Sequence, residues 1–275
     1  MPPTPGPAAP GSTAAVIPAA ALGVAAVILL VVRDPLLGTA ALALGLLGAW
    51  WCDATNRSDG LLPDLTAVAS GIAILSLSDL AADLSDAGMV RFTLVLSGAL
   101  LVPYVLVRWV FRRDPVTFPW GGWRWNRAQW SYLIVVIVAG YLILPWYFLS
   151  TGVYRNWPAV HAPAEIARLF VGVNAVGIWD ELFFICTVFA LYRRHFPLWQ
   201  ANLLQAMVFV SFLWELGYQA WGPLLTIPFA LVQGAIFQLT KNLAYVITVH
   251  LLFDLVVFLV LIHGHNPSWP TIFLI

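Results

Sequence analysis

The sequence predicts an all-α fold, a polytopic transmembrane helical bundle of about eight or nine spans. Hydrophobic residues make up 61% of the 275 residues and charged residues only 9%, whereas a soluble domain carries about 25% charged residues. Apolar runs of about 20 residues, each long enough to cross a bilayer, recur along the chain. These runs imply the lipid bilayer as a partner, and the formal net charge of zero implies no nucleic-acid partner.

The apolar runs divide the chain into successive segments. Residues 1–11 are rich in proline and predict a disordered N-terminal tail. Residues 12–110 predict the N-terminal transmembrane helices, residues 130–262 a transmembrane core, and residues 263–275 a C-terminal tail. The individual spans are predicted at 12–32, 36–52, 61–78, 90–110, 130–149, 165–192, 201–217, 223–239 and 242–262.

Between the two groups of spans, residues 111–129 predict a basic, Trp-rich cytoplasmic loop. Arginines and tryptophans cluster in and next to it: Arg108, Arg112, Arg113, Arg124, Arg127, Trp120, Trp123 and Trp125. Both residue types are enriched at membrane surfaces, so we expect this segment to lie at anionic lipid headgroups. The positive-inside bias then places the N-terminus in the cytoplasm.

Five polar side chains inside the predicted spans form the candidate site. Asp180 and Glu181 lie in the middle of one apolar run, Glu215 lies in the next span, and His250 and Asp254 lie in the last. A charge near the bilayer centre costs about 3 kcal/mol or more, which makes such residues functional candidates. With a rise of about 1.5 Å per residue, the three spans bring these groups to a similar depth.

Hydrolysis inside a membrane cavity is the chemistry that this residue set favours. A carboxylate in a dry pocket can act as general base for a water molecule. A histidine and an acid on a facing helix can polarise a carbonyl or bind a divalent metal such as zinc, for which Glu215 and His250 are the candidate ligands. Buried acids and a histidine also serve transporters and proton relays, but those folds favour internal repeats, and the sequence shows no repeat.

Three short segments resemble the motifs of the CAAX-protease and bacteriocin-processing (CPBP) family of intramembrane proteases. The sequence DELFFI at residues 180–185 resembles the EExxxR motif. The sequence HLLFD at 250–254 resembles the last motif, a histidine followed four residues later by Asn or Asp. Between them, VFVSFLWELG at 208–217 resembles the Phe-xxx-His segment, with Glu215 in the place of the histidine. The resemblance covers roughly residues 130–262.

The resemblance implies an intramembrane (metallo)endopeptidase, a hydrolase that cleaves a peptide bond of a membrane-associated peptide or membrane protein. It implies that Asp180 activates the water with help from Glu215, while His250 and Asp254 steady the oxyanion. It also implies a multi-pass protein of the cell membrane, which we expect to be a bacterial cytoplasmic membrane.

The motifs depart from the family pattern at three positions. Asp180 replaces the first glutamate, Ile185 replaces the arginine and Glu215 replaces the histidine. Without the arginine, we expect Glu181 to be neutral or paired with His250 or a bound cation. The departures also support an alternative, a catalytically inactive relative that acts as a membrane scaffold or chaperone, with a transporter or proton relay as a third hypothesis.

Overall fold

The computed structural model describes residues 13–269 and 271–274. In these residues all regular secondary structure is helical, which confirms the predicted all-α class. The predicted disordered tail, residues 1–11, lies outside the described residues.

Nine long helices follow one another through the described part of the chain, one for each predicted span. Two of them end in a π-helical segment and one changes to π-helix in its middle. The helices are α1 (Thr13–Ala26, continued by the π segment Val27–Val32), α2 (Pro35–Ala54), α3 (Leu61–Leu75), α4 (Asp86–Val105, continued by the π segment Leu106–Val110), α5 (Arg127–Thr151), α6 (Pro163–Asp180, then the π segment Glu181–Phe189 and Ala190–Arg193), α7 (Leu198–Leu216), α8 (Pro223–Thr240) and α9 (Leu243–His265). A short 3₁₀ helix, Val153–Asn156, follows α5.

Seven of these helices, counted within the described residues, are long and apolar enough to cross a membrane. The other two are α3 and α7. Helix α3 has 15 residues, fewer than the about 20 that a span needs. Helix α7 carries the buried polar residues Asn202, Gln205 and Glu215. The bundle therefore agrees with a multi-pass membrane protein, although α3 and α7 do not qualify as spans by length and composition.

Two predicted boundaries shift by a few residues. Helix α5 begins at Arg127, inside the predicted loop 111–129, because Asn126 and Gln129 form a reciprocal capping box there. Helix α9 extends to His265 and so includes the first residues of the predicted C-terminal tail.

Aromatic side chains of α6 and α7 fill the centre of the bundle. Trp179 stacks on Phe183 with ring centroids 5.0 Å apart, and Phe184 stacks on Phe209 at 4.3 Å. The indole Nε1 of Trp179 donates to the Leu96 carbonyl of α4 at 2.7 Å. This packing fixes the middle of α6, the point at which Asp180 and Glu181 stand.

A buried ion-pair cluster holds the C-terminal end of α6. Asp64 of α3 is fully buried and contacts Arg194 Nη1 at 2.9 Å and His195 Nε2 at 2.8 Å. Arg113, which follows α4, lies 3.6 Å from the same carboxylate. The cluster joins α3, the residues after α4 and the residues after α6, and it anchors the C-terminal end of α6.

Candidate functional site

Four of the five predicted site residues come together where α6 packs against α9. His250 Nδ1 lies 2.7 Å from Glu181 Oε1. On the other side of the ring, His250 Nε2 lies 3.6 Å from Asp180 Oδ2 and 3.8 Å from Asp254 Oδ1. The exposed fractions of Asp180, Glu181, His250 and Asp254 are 1%, 0%, 3% and 4%. One imidazole is therefore surrounded by three buried carboxyl groups.

The local backbone explains why the two adjacent acids contact different sides of His250. Asp180 ends the α-helical part of α6, and the π segment begins at Glu181. A π-helical turn changes the direction of successive side chains, and such turns are frequent at functional sites. Both neighbouring carboxyl groups thereby reach the same histidine.

Glu181 is held by two donors from two other helices. Gln233 Nε2 of α8 donates to Glu181 Oε1 at 2.7 Å, and the same oxygen contacts His250 Nδ1. Gln233 Nε2 also reaches the Val246 carbonyl of α9 at 3.3 Å. The expected pairing of Glu181 with His250 is confirmed. The amide of Gln233 was not among the residues predicted for the site, although a glutamine in the middle of an apolar span was a signal for it.

A cavity of about 190 Å³ lies against this cluster. Asp180, His250 and Asp254 line it, whereas Glu181 is not among the lining residues. The remaining lining comes from the N-terminal halves of α4 and α6, from Leu213 and Leu216 of α7, from Val257 of α9, and from the connecting residues Ala82, Asp83, Leu84, Trp157 and Tyr218. Asp180, His250 and Asp254 are thus available to a bound molecule, and Glu181 lies behind the histidine.

Asp83, one of the connecting residues that line the cavity, carries a negative charge at neutral pH. The Ser85 backbone N–H donates to Asp83 Oδ1 at 2.9 Å, and this hydrogen bond lowers the pKa of the Asp83 carboxyl. The apolar cavity therefore has an acidic group in its lining, away from the helical site residues.

Several buried oxygen atoms of the site have no hydrogen-bond partner among the described residues. They are Asp180 Oδ1, Glu181 Oε2, Gln233 Oε1 and Asp254 Oδ2. A buried acceptor without a donor costs about 1–3 kcal/mol. The Asp180 and Asp254 side chains line the cavity, so a molecule that brings donors to them is favoured there.

Gly177 permits the close contact of α6 with α9. A Cβ atom at this position would overlap Asp254 Oδ2, and it would lie 3.2 Å from His250 Cδ2. Small residues at helix crossings let membrane helices approach closely. Gly177 is one turn before Asp180, and the sequence analysis did not single it out.

Glu215 does not join the cluster, which corrects the expectation that it faces the same cavity. Arg33, directly after α1, donates to it twice, from Nε to Oε2 at 2.9 Å and from Nη2 to Oε1 at 2.6 Å. The same hydrogen bonds raise the pKa of Arg33. With 3.6 residues per turn, Glu215 lies about 200° around α7 from Leu213, and Leu213 and Leu216 face the cavity instead.

The predicted pairing of Glu215 with His250 around a metal is therefore not formed, because both oxygens of Glu215 accept from Arg33. Across residues 13–269 and 271–274, no group of three or more His, Cys, Asp or Glu side chains has an arrangement that could hold a metal ion. The binding of a divalent metal such as zinc, expected from Glu215 and His250, therefore stays a prediction.

The fold and the cluster define a multi-pass helical membrane protein with an acid–histidine site buried between its helices. Residues 162–256 match the family model described as Type II CAAX prenyl endopeptidase Rce1-like. This region contains Asp180, Glu181, His250 and Asp254, and its match supports the CAAX-protease family that the motifs predicted. Comparison with the curated proteins and with the solved structures gave no match.

Proposed function

We propose that the protein is an intramembrane endopeptidase that hydrolyses a peptide bond of a membrane-associated peptide or protein. The observation that carries the proposal is the convergence of Asp180, His250 and Asp254 on one buried cavity. A paired carboxylate and histidine in a site shielded from bulk water supply both a general base and an electrostatic stabiliser. The match to an endopeptidase family supports the same reaction class.

Asp180 is the general base in this mechanism. Its Oδ1 atom has no protein partner among the described residues, so it can accept a proton from a water molecule in the cavity. The hydroxyl oxygen then attacks the carbonyl carbon of the substrate, and Asp180 passes the proton to the leaving amine nitrogen. No metal is needed in this sequence of steps.

His250 stabilises the oxyanion, and Glu181 orients the ring. When the imidazole is protonated, Nδ1 donates to Glu181 and Nε2 donates into the cavity, where negative charge develops on the carbonyl oxygen. Asp254, 3.8 Å from Nε2, lies on the same helix face and favours the protonated ring. Glu181 acts through His250 and is a positioning residue.

The substrate enters between α4 and α6. Arg168 of α6 bonds to Asp86 at 2.7 Å and to the Leu84 carbonyl at 2.9 Å at one end of this gap. The Trp179–Leu96 hydrogen bond closes the other end. Between these contacts, Thr93 and Val171 line the cavity and are also exposed at the protein surface. A polypeptide segment in the lipid phase can therefore reach Asp180 from the side.

The N-terminus is cytoplasmic in this proposal. The positive-inside bias places the arginine-rich connection between α4 and α5 in the cytoplasm. The cavity is lined by the N-terminal halves of α4 and α6 and by the C-terminal end of α7, which belong to the opposite end of the bundle. The substrate side of the site is then the non-cytoplasmic side.

A catalytically inactive scaffold is the second candidate function, and one observation favours it. The face of α7 that lines the cavity presents Leu213 and Leu216, so α7 contributes no acid or histidine to the site. The motif pattern has a histidine on this helix, and its replacement Glu215 does not line the cavity, so the site has one polar group fewer than the pattern. Such a protein would keep the cavity and bind a partner without cleaving it.

Purified protein in lipid nanodiscs, incubated with a library of membrane-associated peptides, distinguishes the two functions by mass spectrometry of the products. We expect cleavage by the wild type and at least a 10²-fold loss in Asp180→Asn and His250→Gln, because general base and oxyanion stabilisation each contribute about 10²–10⁴-fold. Glu215→Gln is the matched control. Its carboxylate pairs with Arg33, so the variant should lose stability and keep its rate per folded molecule.

Absence of cleavage in the wild type, with capture of the same peptides by wild type and Asp180→Asn alike, would support the scaffold instead. Cleavage that is lost in Glu215→Gln but kept in Asp180→Asn would contradict the assignment of the base.

A further inference from the structure

The connecting segment, defined as residues 106–130, runs from the π segment of α4 to the first turn of α5 and exposes a set of positive charges. Arg108, Arg112, Arg124 and Arg127 are all exposed, and within the described residues none of them makes a hydrogen bond or an ion pair. The fifth arginine, Arg113, lies 3.6 Å from buried Asp64. Water hydrates these exposed guanidinium groups, and four of them on one segment form a positive surface to which an external anion can bind through charge-assisted hydrogen bonds.

Exposed tryptophans accompany these arginines. Trp120 is 51% and Trp123 is 61% exposed. Their rings belong to a continuous row, with centroids 5.7 Å apart for Trp120–Trp123, 5.6 Å for Trp123–Trp125 and 5.0 Å for Trp125–Trp130. Tryptophan prefers the headgroup level of a bilayer. The combination therefore fits a lipid surface better than a soluble anion.

The connecting segment also caps the helix that carries His250 and Asp254. The first N–H groups of a helix have no acceptor within the helix. In α9, backbone carbonyls of the connecting segment accept from two of these N–H groups. Leu243 N–H donates to the Pro119 carbonyl at 2.8 Å, and Ala244 N–H donates to the Trp120 carbonyl at 3.0 Å. The Asn242 amide donates to the Gly122 carbonyl at 3.0 Å.

Side chains extend this contact along α9. Trp125 packs on Tyr245 with centroids 5.2 Å apart, and the Tyr245 hydroxyl donates to the Gln129 carbonyl at 2.9 Å. His250 follows Leu243 by about two turns, or about 10 Å. A ligand that stabilises the connecting segment therefore also stabilises the first turns of α9, and these turns lead directly to His250.

We propose that the connecting segment binds the headgroups of anionic phospholipids and that this binding steadies α9. The phosphate of the headgroup satisfies the unpaired guanidinium groups while the tryptophans enter the boundary between headgroups and acyl chains. Each arginine near an anionic surface adds to this attraction. This surface does not depend on whether the protein cleaves peptides.

The test measures thermal unfolding of the full-length protein in neutral detergent during titration with lipid. Phosphatidylglycerol should raise the Tm by several degrees in a saturable way, because a ligand that binds the folded state stabilises it by mass action. Phosphatidylcholine and inorganic phosphate should leave the Tm unchanged, which distinguishes a lipid headgroup from a free phosphate. Equal shifts with both lipids, or a shift with inorganic phosphate alone, overturn the proposal.

Variants locate the effect. The exchange of Arg108, Arg112, Arg124 and Arg127 to glutamine should abolish the phosphatidylglycerol shift. Arg155→Gln is the matched control, since Arg155 is exposed after α5, at the opposite end of the bundle. Two double variants, Arg108→Gln with Arg112→Gln and Arg124→Gln with Arg127→Gln, should each lose part of the shift and serve if the quadruple variant does not fold. A full shift in both double variants overturns the assigned surface.

Hydrogen exchange tests the connection to α9. Phosphatidylglycerol should slow amide exchange at residues 243–250 in the wild type, slow it less in the double variants and leave it unchanged in the quadruple variant. A Tm shift without slower exchange in α9 would retain the lipid surface and overturn its effect on this helix.

Discussion

Gln233 of α8 supplies a hydrogen bond to Glu181, for which the motif pattern has an arginine on α6. Ile185, which stands in the place of that arginine, is apolar and fully buried. Glu181 Oε1 instead accepts from Gln233 of α8 and contacts His250 of α9. The Gln233 amide is an uncharged donor, so Glu181 is held by contacts from two other helices and not by a cation on its own helix. The loss of the arginine thus does not leave Glu181 without a partner.

We expect Gln233→Met to reduce kcat about tenfold with little change in KM, because a hydrogen bond to a charged group is worth about 1.5–3 kcal/mol and this one orients Glu181. Nitrogen NMR of labelled histidine should show altered His250 signals in the same variant, and this measurement does not require activity.

Gln205→Met is the control for Gln233→Met. Gln205 is equally buried, but its amide bonds to Asn202 and to the Ala230 carbonyl. The control should lose stability and keep the His250 signals of the wild type. Identical effects of both substitutions on His250 would show that Gln233 only supports the fold.

At the scale of elements, the crossing of α6 and α9 determines how close Asp180, His250 and Asp254 come. Gly177 contacts Asp254 and His250 across this crossing without a side chain of its own. The π segment of α6 then begins within one turn. The distances of 3.6 and 3.8 Å at His250 Nε2 therefore depend on a glycine and on a local change of helix type.

Gly177→Ala should push α6 away from α9. We expect destabilisation by about 1–3 kcal/mol, the usual cost of overpacking, and a loss of cleavage by about 10²-fold because a misplacement near 1 Å has that effect. Thermal unfolding and peptide cleavage measure the two results.

Gly98→Ala on α4 is the control, since Gly98 does not line the cavity and a Cβ there meets only Ile74 Cγ2 at 3.5 Å, an ordinary van der Waals distance. It should behave as the wild type in both assays. A wild-type rate in Gly177→Ala would mean that the close crossing does not matter for the site.

At the scale of the whole molecule, the two ends of the bundle have different surfaces. One end carries the connecting segment with its exposed arginines and tryptophans. The other end carries Asp83 at the cavity and the Arg33–Glu215 ion pair between the ends of α1 and α7. Asp64 with Arg194 and His195 holds the helices together at the arginine-rich end. The mouth of the cavity at Asp83 and the arginine-rich connecting segment therefore belong to opposite ends of the bundle, while His250 lies between them, about 10 Å along α9 from Leu243.

Cysteine labelling in intact cells tests the predicted orientation. In a background with Cys52→Ala and Cys186→Ala, a membrane-impermeant thiol reagent should label Asp83→Cys from outside and Arg124→Cys only after permeabilisation. The positive-inside bias is the physical reason for this expectation. Labelling with the reverse pattern would place the cavity on the cytoplasmic side.

The helical class and the helix positions were predictable from sequence because they follow from local hydrophobicity. A run of about 20 apolar residues is enough to predict a membrane-spanning helix without knowledge of its neighbours. Each predicted span corresponds to one helix in the described residues. The acids Asp180 and Glu181 and the i, i+4 pair His250 and Asp254 were recognisable for the same reason, since charge inside an apolar run is costly wherever the run packs.

The partners of these side chains depend on the rotation and crossing of helices, which local periodicity does not contain. Glu215 pairs with Arg33 across 182 residues of sequence because α7 turns Leu213 toward the cavity and Glu215 away from it. Glu181 meets Gln233 across 52 residues because α8 packs beside α6. Hydrophobicity alone thus determined which residues lie in the membrane, while the packing of the helices decided which polar groups share a site.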